Sequence, residues 1–321
     1  MSRTKKSFYG IGAILVLLVS ASFGAAFYLQ YYALQARGNE RGKDIAGSLR
    51  YMKETYPALA GWIDSINTPD ILRDTFITAD DGTRLHACYL QAPSPTLRTA
   101  VVVHGYTDNV VRMLHIGHLY NHRLGYNVLL PDLRYSGLSG GTHLQMGWND
   151  RLDVMRWMDV ANSRFGGTAQ TRMVVHGISM GGATTLCVSG EQQKPYVKCF
   201  VDDCGFTSVW DEFESELQAQ FGLPAFPLLY CSDLLTRWRY GWSFREASAL
   251  RQVARSRLPI LFIHGDSDTF VPTRMTDSLY AAKQGDKALW IAPSTTHAEA
   301  YRNYPDIYAE KIESFVSKYI R

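Results

Sequence analysis

The sequence lacks several features that define particular protein classes. It contains no internal repeat and no low-complexity stretch, which argues against repeat architectures. Outside the N-terminus it carries no excess of charge, because Arg3, Lys5 and Lys6 account for the whole formal net charge of +3. Since no basic face and no nucleic-acid-binding motif are present, we expect neither DNA nor RNA as a partner.

Cysteine is also scarce. The chain has five cysteines, an odd number that leaves at least one without an intramolecular partner. Cys199 and Cys204 fall within one predicted strand, where they are ~16 Å apart and too distant for a disulfide. We interpret the cysteines mainly as small buried hydrophobic side chains, and they do not indicate a cellular compartment.

An acid-free apolar segment begins the chain. No charged residue lies between Ser7 and Ala36. The apolar centre, Ile11 to Leu29, has about the length needed to cross a bilayer as a helix, and Tyr31 and Tyr32 follow where interfacial aromatic residues are common. We therefore predict that residues 1–36 form a single-pass membrane anchor.

The flanks of this segment bear on its orientation. The basic residues before it favour a cytoplasmic N-terminus and an extracytoplasmic catalytic part, although Arg37, Arg41 and Lys43 nearly balance them. Small residues at Ala21–Ala26 keep open a cleaved signal peptide and a secreted protein. A buried core helix is the third alternative.

The rest of the chain is long and apolar enough for a large core, since 46% of the 321 residues are hydrophobic. Residues 37–72 are polar and mixed, and we interpret them as a spacer with a short helix at Ala46–Tyr56. From residue 73 a β-hairpin around Asp81-Gly82 is followed by short apolar runs. These runs predict strands at Thr99–Val103, Tyr126–Leu130, Met173–Val175, Val197–Val201, Pro259–Ile263 and Ala288–Ile291.

Helices are predicted between these strands, with Val111–Leu124 ending at Gly125 and Glu299–Tyr319 closing the chain as one amphipathic helix. Strands that alternate with helices predict an α/β domain over residues 73–321, with a mainly parallel, doubly wound sheet. Residues 206–250 break the alternation and are rich in aromatic residues. We predict that they form a helical lid over the mouth of the sheet.

The run Gly177-Ile178-Ser179-Met180-Gly181 follows the strand at Met173–Val175 and precedes a predicted helix. This G-x-S-x-G pattern predicts a sharp strand-to-helix turn with Ser179 at its tip, and the glycines keep side chains out of the crowded turn. The hydroxyl then lies at a helix N-terminus, which favours developing negative charge. Serine in this position indicates a hydrolase nucleophile.

A serine nucleophile needs a base, and the base needs a carboxylate that orients it. His297 follows the last predicted strand and is the expected base. Asp268 follows the penultimate strand and is the expected carboxylate, whereas Asp266 is expected to form a turn in its own loop. Asp203, at the end of another strand, is the reserve carboxylate. The order Ser, Asp, His along the chain suits this architecture.

Two backbone N–H groups are expected to form the oxyanion hole. One belongs to Tyr106, in the loop His104-Gly105-Tyr106 after a strand, and the other to Met180, directly after the nucleophile. Loss of one such donor typically costs ~3 kcal/mol of transition-state stabilisation. We expect His104 to be structural.

A second cluster suggests a different chemistry. His115, His118 and His122 share one face of a predicted helix, a spacing that metal sites use. No acidic residue joins them at a typical ligand spacing, so we expect a packed or solvated face. We expect no metal and no cofactor.

These motifs resemble the α/β-hydrolase superfamily, and within it the serine hydrolases that include the Bem46-like proteins and related bacterial esterases. The resemblance covers roughly residues 73–321 and rests on His104-Gly105-Tyr106, Asp132–Gly140, Gly177–Gly181, His264–Pro272 and His297. It implies a bracing role for Asp132 and Arg134. Tyr135-Ser136 departs from many relatives and leaves the shape of the pocket open. Serine at the turn disfavours the epoxide-hydrolase and dehalogenase branches.

The substrate is expected to be a small or lipid-like carboxylic ester. Aromatic residues of the lid and its surroundings predict a pocket for an apolar acyl or aryl group, lined by Trp148, Trp210, Phe213 and Phe226. Thioesterase or peptidase activity would use the same triad. A non-catalytic binding protein of the same fold is the alternative from another class. The sequence does not indicate an oligomeric state.

Overall fold

The computed structural model describes the backbone of residues 3–321 and the side chains from Ile11 onward, except that of Arg37. Within these residues the strands are β1 (Arg73–Thr78), β2 (Arg84–Leu90), β3 (Arg98–Val103), β4 (Asn127–Pro131), β5 (Arg172–Ile178), β6 (Val197–Asp203), β7 (Ile260–Gly265) and β8 (Lys287–Ala292). They form one sheet in the order β1-β2-β4-β3-β5-β6-β7-β8.

The first two strands form the predicted hairpin. Strand β1 pairs antiparallel with β2, and β2 pairs antiparallel with β4. All later neighbours in the sheet run parallel. The central strands are buried along nearly their whole length, which explains their continuous apolar runs, because helices cover both faces of a parallel sheet.

Helices lie on both faces of the sheet. The described helices are α1 (Arg3–Gln30), α2 (Ala36–Lys43), α3 (Ile45–Thr55), α4 (Ala60–Ile66), α5 (Leu114–His118), α6 (Asp150–Gly166), α7 (Met180–Ser189), α8 (Val209–Phe221), α9 (Leu228–Tyr240), α10 (Ala249–Val253), α11 (Arg274–Ala282), α12 (Ala300–Asn303) and α13 (Pro305–Val316). One core forms where α6, α7, α10 and α11 pack on the sheet, and a second core forms under α3, α4, α5 and α13.

Two helical predictions need correction. The segment predicted as one regular helix at Val111–Leu124 consists of a 3-10 turn, the short α5 and a π turn at Leu119–Arg123. The predicted closing helix Glu299–Tyr319 is divided into α12 and α13. Pro305 starts α13 and forces the residue before it out of helical geometry, so that Tyr304 has φ −136° and ψ 56°.

The segment between β6 and β7 holds the helices α8 and α9. The hydroxyl of Ser208 caps α8 by accepting a hydrogen bond from the Asp211 amide at 3.0 Å, and Gly222 ends the helix in left-handed geometry. Helix α9 packs against the C-terminal part of α1. The segment predicted as a lid is therefore in contact with the predicted membrane anchor.

The N-terminal segment is helical, as the sequence predicts. Within the described residues, Ile11–Lys43 is one helical stretch long and apolar enough by composition to cross a membrane. Residues 37–72, predicted as a spacer, contain α3 and α4, whose Met52 and Ile63 are fully buried in the second core. This segment therefore packs on the domain through α3 and α4.

Candidate active site

The turn between β5 and α7 has the strained geometry expected of a nucleophile at its tip. Ser179 has φ 58° and ψ −122°, a conformation that residues with a side chain rarely adopt. A Cβ atom at Gly177 would lie 2.0 Å from the carbonyl oxygen of Gly181, and one at Gly181 would lie 2.2 Å from that of Val103. Glycine is therefore required at 177 for the turn to close and at 181 for the turn to pack on β3.

Ser179, His297 and Asp268, which lie far apart in the sequence, meet at the carboxyl end of the sheet. His297 Nδ1 donates to Asp268 Oδ2 at 2.7 Å, which leaves Nε2 as the acceptor of the Ser179 hydroxyl at 2.8 Å. Phe270 covers the imidazole with its ring centroid 5.0 Å away. The arrangement fixes the tautomer in which imidazole can take a proton from serine.

The carboxylate of Asp268 is surrounded by donors. Its Oδ1 accepts from the amides of Phe270 and Val271, both at 3.0 Å, and its Oδ2 also faces His264 Nε2 at 3.1 Å. Burial alone would raise the pKa of Asp268, but the hydrogen bonds from His264 and His297 lower it to about 2. The group therefore stays ionised beside the imidazole.

The other two carboxylates considered from the sequence have different partners. Asp203 Oδ2 accepts from the hydroxyl of Tyr308 at 2.9 Å, and burial raises the pKa of Asp203 to about 6. Asp266 accepts from the hydroxyl of Ser267 at 2.8 Å and from the amide of Thr295 at 3.3 Å. Both therefore support local structure, whereas Asp268 contacts the imidazole.

Two amides near Ser179 were predicted to form an oxyanion hole, those of Tyr106 and Met180. Met180 begins α7, so its N–H has no acceptor within the helix. In the described part of the chain, neither this N–H nor that of Tyr106 donates to a backbone carbonyl outside the regular elements. A Cβ at Gly105 would lie 3.5 Å from Ser179 Cβ, so the Tyr106 loop borders the serine. The Ser179 amide itself donates to Asp203 O at 2.7 Å.

Side chains behind the site brace these loops. His104 accepts from the Leu133 amide at 2.9 Å through Nε2, in agreement with the structural role predicted for it. Asp132 accepts from the Val110 amide at 2.9 Å. Arg134 forms a two-pronged ion pair with Asp153, with distances of 2.5 and 3.2 Å. These contacts hold the loops after β3 and β4 together.

A cavity of about 860 Å³ opens onto Ser179 and His297. Of the four aromatic residues predicted to line it, Phe213 does so and the other three do not. Trp148 donates to Glu246 at 3.1 Å outside the cavity. Trp210 packs against the ring of Tyr230, and Phe226 is 71% exposed to solvent. The sequence identified the aromatic character of this region but not which aromatic side chains point into the cavity.

The C-terminal end of the predicted anchor forms part of the cavity wall. Leu29, Tyr32 and Ala33 border the cavity. The hydroxyl of Tyr106 donates to the carbonyl of Ala33 at 2.6 Å. The loop that carries Tyr106 is thus joined to the N-terminal segment. Sequence reasoning missed this role, although the charge-free stretch does run past Leu29 to Ala36.

One acidic residue in the cavity wall was also not anticipated. Glu212 lies on α8 and is buried, and within the described residues its Oε2 has no hydrogen-bond partner. Burial raises the pKa of Glu212 well above its usual value, and the nearby Glu216 raises it further. A neutral carboxyl group therefore faces a cavity whose wall also carries Glu216, Arg41 and Arg112.

The three histidines considered as metal ligands make aromatic contacts instead. His115 stacks on Tyr56 at 4.8 Å, and burial lowers the pKa of His115 to about 3. His118 meets Trp62 edge to face at 4.9 Å and stacks on His122 at 4.8 Å. Across the described residues, these three do not form a group whose ligand atoms converge.

Comparisons with known proteins agree with this architecture. The sequence profile of the prolyl oligopeptidase family matches residues 117–321. The protein YqkD of Bacillus subtilis is 32% identical over 229 residues, which cover 71% of this chain and 74% of YqkD. The protein bem46 of Schizosaccharomyces pombe is 24% identical over 232 residues, which cover 71% of each chain.

A solved structure shows the same fold. The esterase Pf2001 of Pyrococcus furiosus superposes with a TM-score of 0.63 at 21% sequence identity, covering 78% of this chain and 95% of that one. Together with the family match, this confirms the predicted α/β-hydrolase fold and the predicted superfamily. At this identity the likeness concerns the fold and leaves the substrate open.

Proposed function

Because this chain belongs to the prolyl oligopeptidase family of the α/β-hydrolase superfamily, we propose that it is a serine hydrolase that cleaves carboxylic esters with an apolar acyl or aryl group. The single observation that carries the proposal is the hydrogen bond of 2.8 Å from Ser179 Oγ to His297 Nε2, on an imidazole whose other nitrogen bonds Asp268. A nucleophile, its base and the orienting carboxylate are what acyl transfer requires.

The proposed reaction has two acyl-transfer steps. His297 takes the proton of Ser179 while the serine oxygen attacks the ester carbonyl, and the oxyanion forms against the amides of Tyr106 and Met180. The alcohol leaves with the proton from His297. Water then attacks the acyl-enzyme in the same way and releases the acid and the free serine. Asp268 remains ionised throughout, in accord with its lowered pKa of about 2.

The cavity supports an apolar substrate. Its volume of about 860 Å³ lies within the range of small-molecule sites, and the side chains of Leu29, Phe213 and Leu217 contribute apolar walls. We propose carboxylic esters as the first class because the alcohol is a better leaving group than an amine. A peptidase or thioesterase is the alternative that the family name keeps open, since the same triad serves amides and thioesters.

The N-terminal segment is proposed to be an uncleaved, single-pass membrane anchor, with the hydrolase domain at residues 73–321 on the extracytoplasmic side. In support, Ala26 and Gln30 are buried against α9 even though they follow the long exposed apolar part of α1. Cleavage within Ala21–Ala26 would remove the exposed part and leave a new terminus at this contact. A secreted, trimmed form is therefore the less favoured alternative.

Active-site labelling tests the function directly. The full-length protein in detergent micelles should react with a fluorophosphonate probe at Ser179 and turn over p-nitrophenyl esters. Ser179→Ala should lose both, whereas the matched variant Ser278→Ala, at an exposed serine on α11, should keep both. Near-normal ester turnover by folded Ser179→Ala would refute the proposal. Labelling of Ser179 without turnover of any ester, thioester or peptide would instead favour a binding protein.

A further inference from the structure

The outer face of α9 carries a row of large apolar side chains that the described chain leaves exposed to a large extent. Phe226 just before the helix, then Tyr230, Leu234 and Trp238, recur every four residues and so share one face. They are 71%, 45%, 59% and 82% exposed, respectively. We call these four residues the outer stripe. An exposed apolar row of this size marks an interaction surface.

The opposite face of α9 is seated on α1 in a defined register. Ser232 Oγ donates to the carbonyl of Ala26 at 3.3 Å, and Gln30 Nε2 donates to Thr236 Oγ1 at 2.8 Å. Both pairs are 206 positions apart, so the two helices run parallel and side by side. This offset places Tyr230 level with Gly24, and Trp238 level with Tyr32.

The length of α1 then fixes the depth of α9. About 20 helical residues are needed to cross the ~30 Å hydrocarbon core of a bilayer. A span over the apolar centre of the segment, Ile11 to Leu29, leaves the hydrocarbon at about Leu29. Tyr230 therefore lies at the level of the hydrocarbon, and Trp238, level with Tyr32, lies ~5 Å beyond its edge, among the lipid headgroups.

The chemistry along α9 follows the same gradient. Apolar Phe226 lies at the end of α9 nearer the bilayer centre, whereas Arg237 and Arg239 occupy the last turn beside Trp238. Aromatic and basic side chains at the headgroup level are characteristic of membrane-facing helices.

The stripe also leads to the active site. The cavity wall reaches the surface at Tyr32, Gln220 and Phe221, where the Tyr32 hydroxyl donates to Gln220 Oε1 at 3.3 Å. From Phe221 the exposed apolar surface continues through Leu223 to Phe226. A lipid at the stripe is therefore next to the rim of the cavity.

We propose that the outer stripe docks in the bilayer that holds α1, and that the substrate is an ester lipid that passes from this bilayer into the cavity. The inference rests on the proposed anchor and the proposed esterase function. The docking half has a readout that needs no catalysis, so its failure is distinguishable from a failure of the esterase proposal.

Fluorescence quenching tests the docking. Full-length Ser179→Ala protein is reconstituted into phosphatidylcholine vesicles whose acyl chains are brominated near the glycerol, and the quenched part of the tryptophan emission is measured. Adding Trp238→Phe should remove a quenched component, whereas Trp290→Phe, at a half-buried tryptophan on β8, should not. Equal quenching with and without Trp238 would overturn the docking.

Turnover tests the route of the lipid. Leu234→Asp places a charge at the stripe, and Leu152→Asp is the matched control at an exposed leucine on α6. Leu234→Asp should cut hydrolysis of a monoacylglycerol embedded in vesicles about tenfold and leave a water-soluble short-chain p-nitrophenyl ester within about twofold. The control should leave both rates unchanged.

Two results would reject the membrane route. Equal hydrolysis of the embedded lipid by Leu234→Asp and the parent protein would show that the stripe does not deliver substrate. Unquenched Trp238, together with a cross-linked dimer that Leu234→Asp abolishes, would identify a second copy of the chain as the occupant of the stripe. If the parent protein hydrolyses neither the embedded lipid nor the water-soluble ester, the result would count against the esterase proposal and not against the docking.

Discussion

Asp268 Oδ2 lies between two histidines: it accepts a hydrogen bond from His297 Nδ1 at 2.7 Å and is 3.1 Å from His264 Nε2. His264 is held in turn, because Thr276 Oγ1 lies 2.5 Å from its Nδ1 and the carbonyl of Val271 lies 2.8 Å from its Nε2. The carboxylate is thus held in place by contacts that do not involve His297. Its position relative to the imidazole is set by β7 and the loop that follows.

Substitution of Asp268 and of Asp203 should show which of the two carboxylates orients His297. Asp268→Asn leaves the shape of the site but allows the wrong tautomer of His297, so kcat/KM for a p-nitrophenyl ester should fall by about 10⁴-fold. Asp203→Asn changes a side chain that bonds Tyr308, and should stay within about threefold. Circular dichroism should show both variants folded. The reverse ranking of the two variants would assign the carboxylate role to Asp203.

A side chain at Gly181, in the tight turn, should lower the stability of the fold, whereas a side chain at a glycine with open space around it should not. A Cβ at Gly181 would lie 2.2 Å from the carbonyl oxygen of Val103 and 2.6 Å from that of His104, so Gly181→Ala should destabilise the fold by about 3 kcal/mol or more. Gly61, within α4, has open space, and Gly61→Ala should be neutral or stabilising by about 0.5–1 kcal/mol. Urea unfolding of the two variants measures both changes, and similar stabilities would contradict the steric argument.

A buried acid beside the turn should make stability depend on pH. Burial raises the pKa of Asp202 from 3.8 to about 8, and among the described residues its Oδ2 has no partner. Because the folded state holds this proton more tightly than the unfolded chain, the stabilising contribution is complete below about pH 4 and is lost as the pH rises towards 8.

The variant Asp202→Asn should remove this dependence. At about pH 9 the variant should have a higher Tm than the parent protein and a free energy of unfolding larger by an amount on the order of a few kcal/mol. Both gains should shrink towards about pH 4. Asp70→Asn, at an exposed acid, serves as the control and should track the parent. A gain that does not vary with pH would contradict the assigned cause.

Glu212 predicts a change in activity at alkaline pH. Its raised pKa keeps the carboxyl neutral at moderate pH, and ionisation at higher pH places a negative charge in the cavity where the oxyanion develops. The kcat of the parent protein should therefore decline on the alkaline side, and Glu212→Gln should extend the plateau upward. Glu214→Gln, on the exposed side of α8, should not alter the profile. Identical profiles for all three proteins would reject this role.

The order and spacing of the strand-end motifs were sufficient to predict the fold and to name the residues that meet at the site. Gly177–Gly181, Asp268 and His297 each follow a strand of a parallel sheet, and the carboxyl ends of such strands lie at one edge. Topology alone therefore brings them together. The contribution of each to catalysis stays a prediction until the variants above are assayed.

The substrate cavity could not be predicted in the same way. Trp148, Trp210 and Phe226 were expected in its wall because they are aromatic and lie in or near the segment predicted as a lid, but aromatic character does not specify which neighbour a side chain packs on. The wall instead recruits Leu29 and Ala33 from the distant N-terminus. Contacts across so many residues depend on how α1 and α9 pack, and that information is absent from local patterns.

The division of the closing helix at Tyr304 was missed for a simpler reason. The apolar spacing on both sides of Pro305 is helical, so the periodicity extends across the break. Proline at the first position of a helix is favourable, and it was the residue before it that had to leave helical geometry. The local signal was present in the sequence and was outweighed by the longer pattern.

Leu29, Tyr32 and Ala33 belong to the stretch that is commonly deleted to obtain a soluble preparation of an anchored enzyme. Without that stretch the Tyr106 hydroxyl loses its acceptor, and the cavity becomes a trough open to water along one side. Acyl-chain preferences measured on a truncated protein would then reflect this opened cavity and would underestimate the selectivity for long acyl groups. Substrate surveys should accordingly use the intact polypeptide in a mild detergent or a lipid nanodisc.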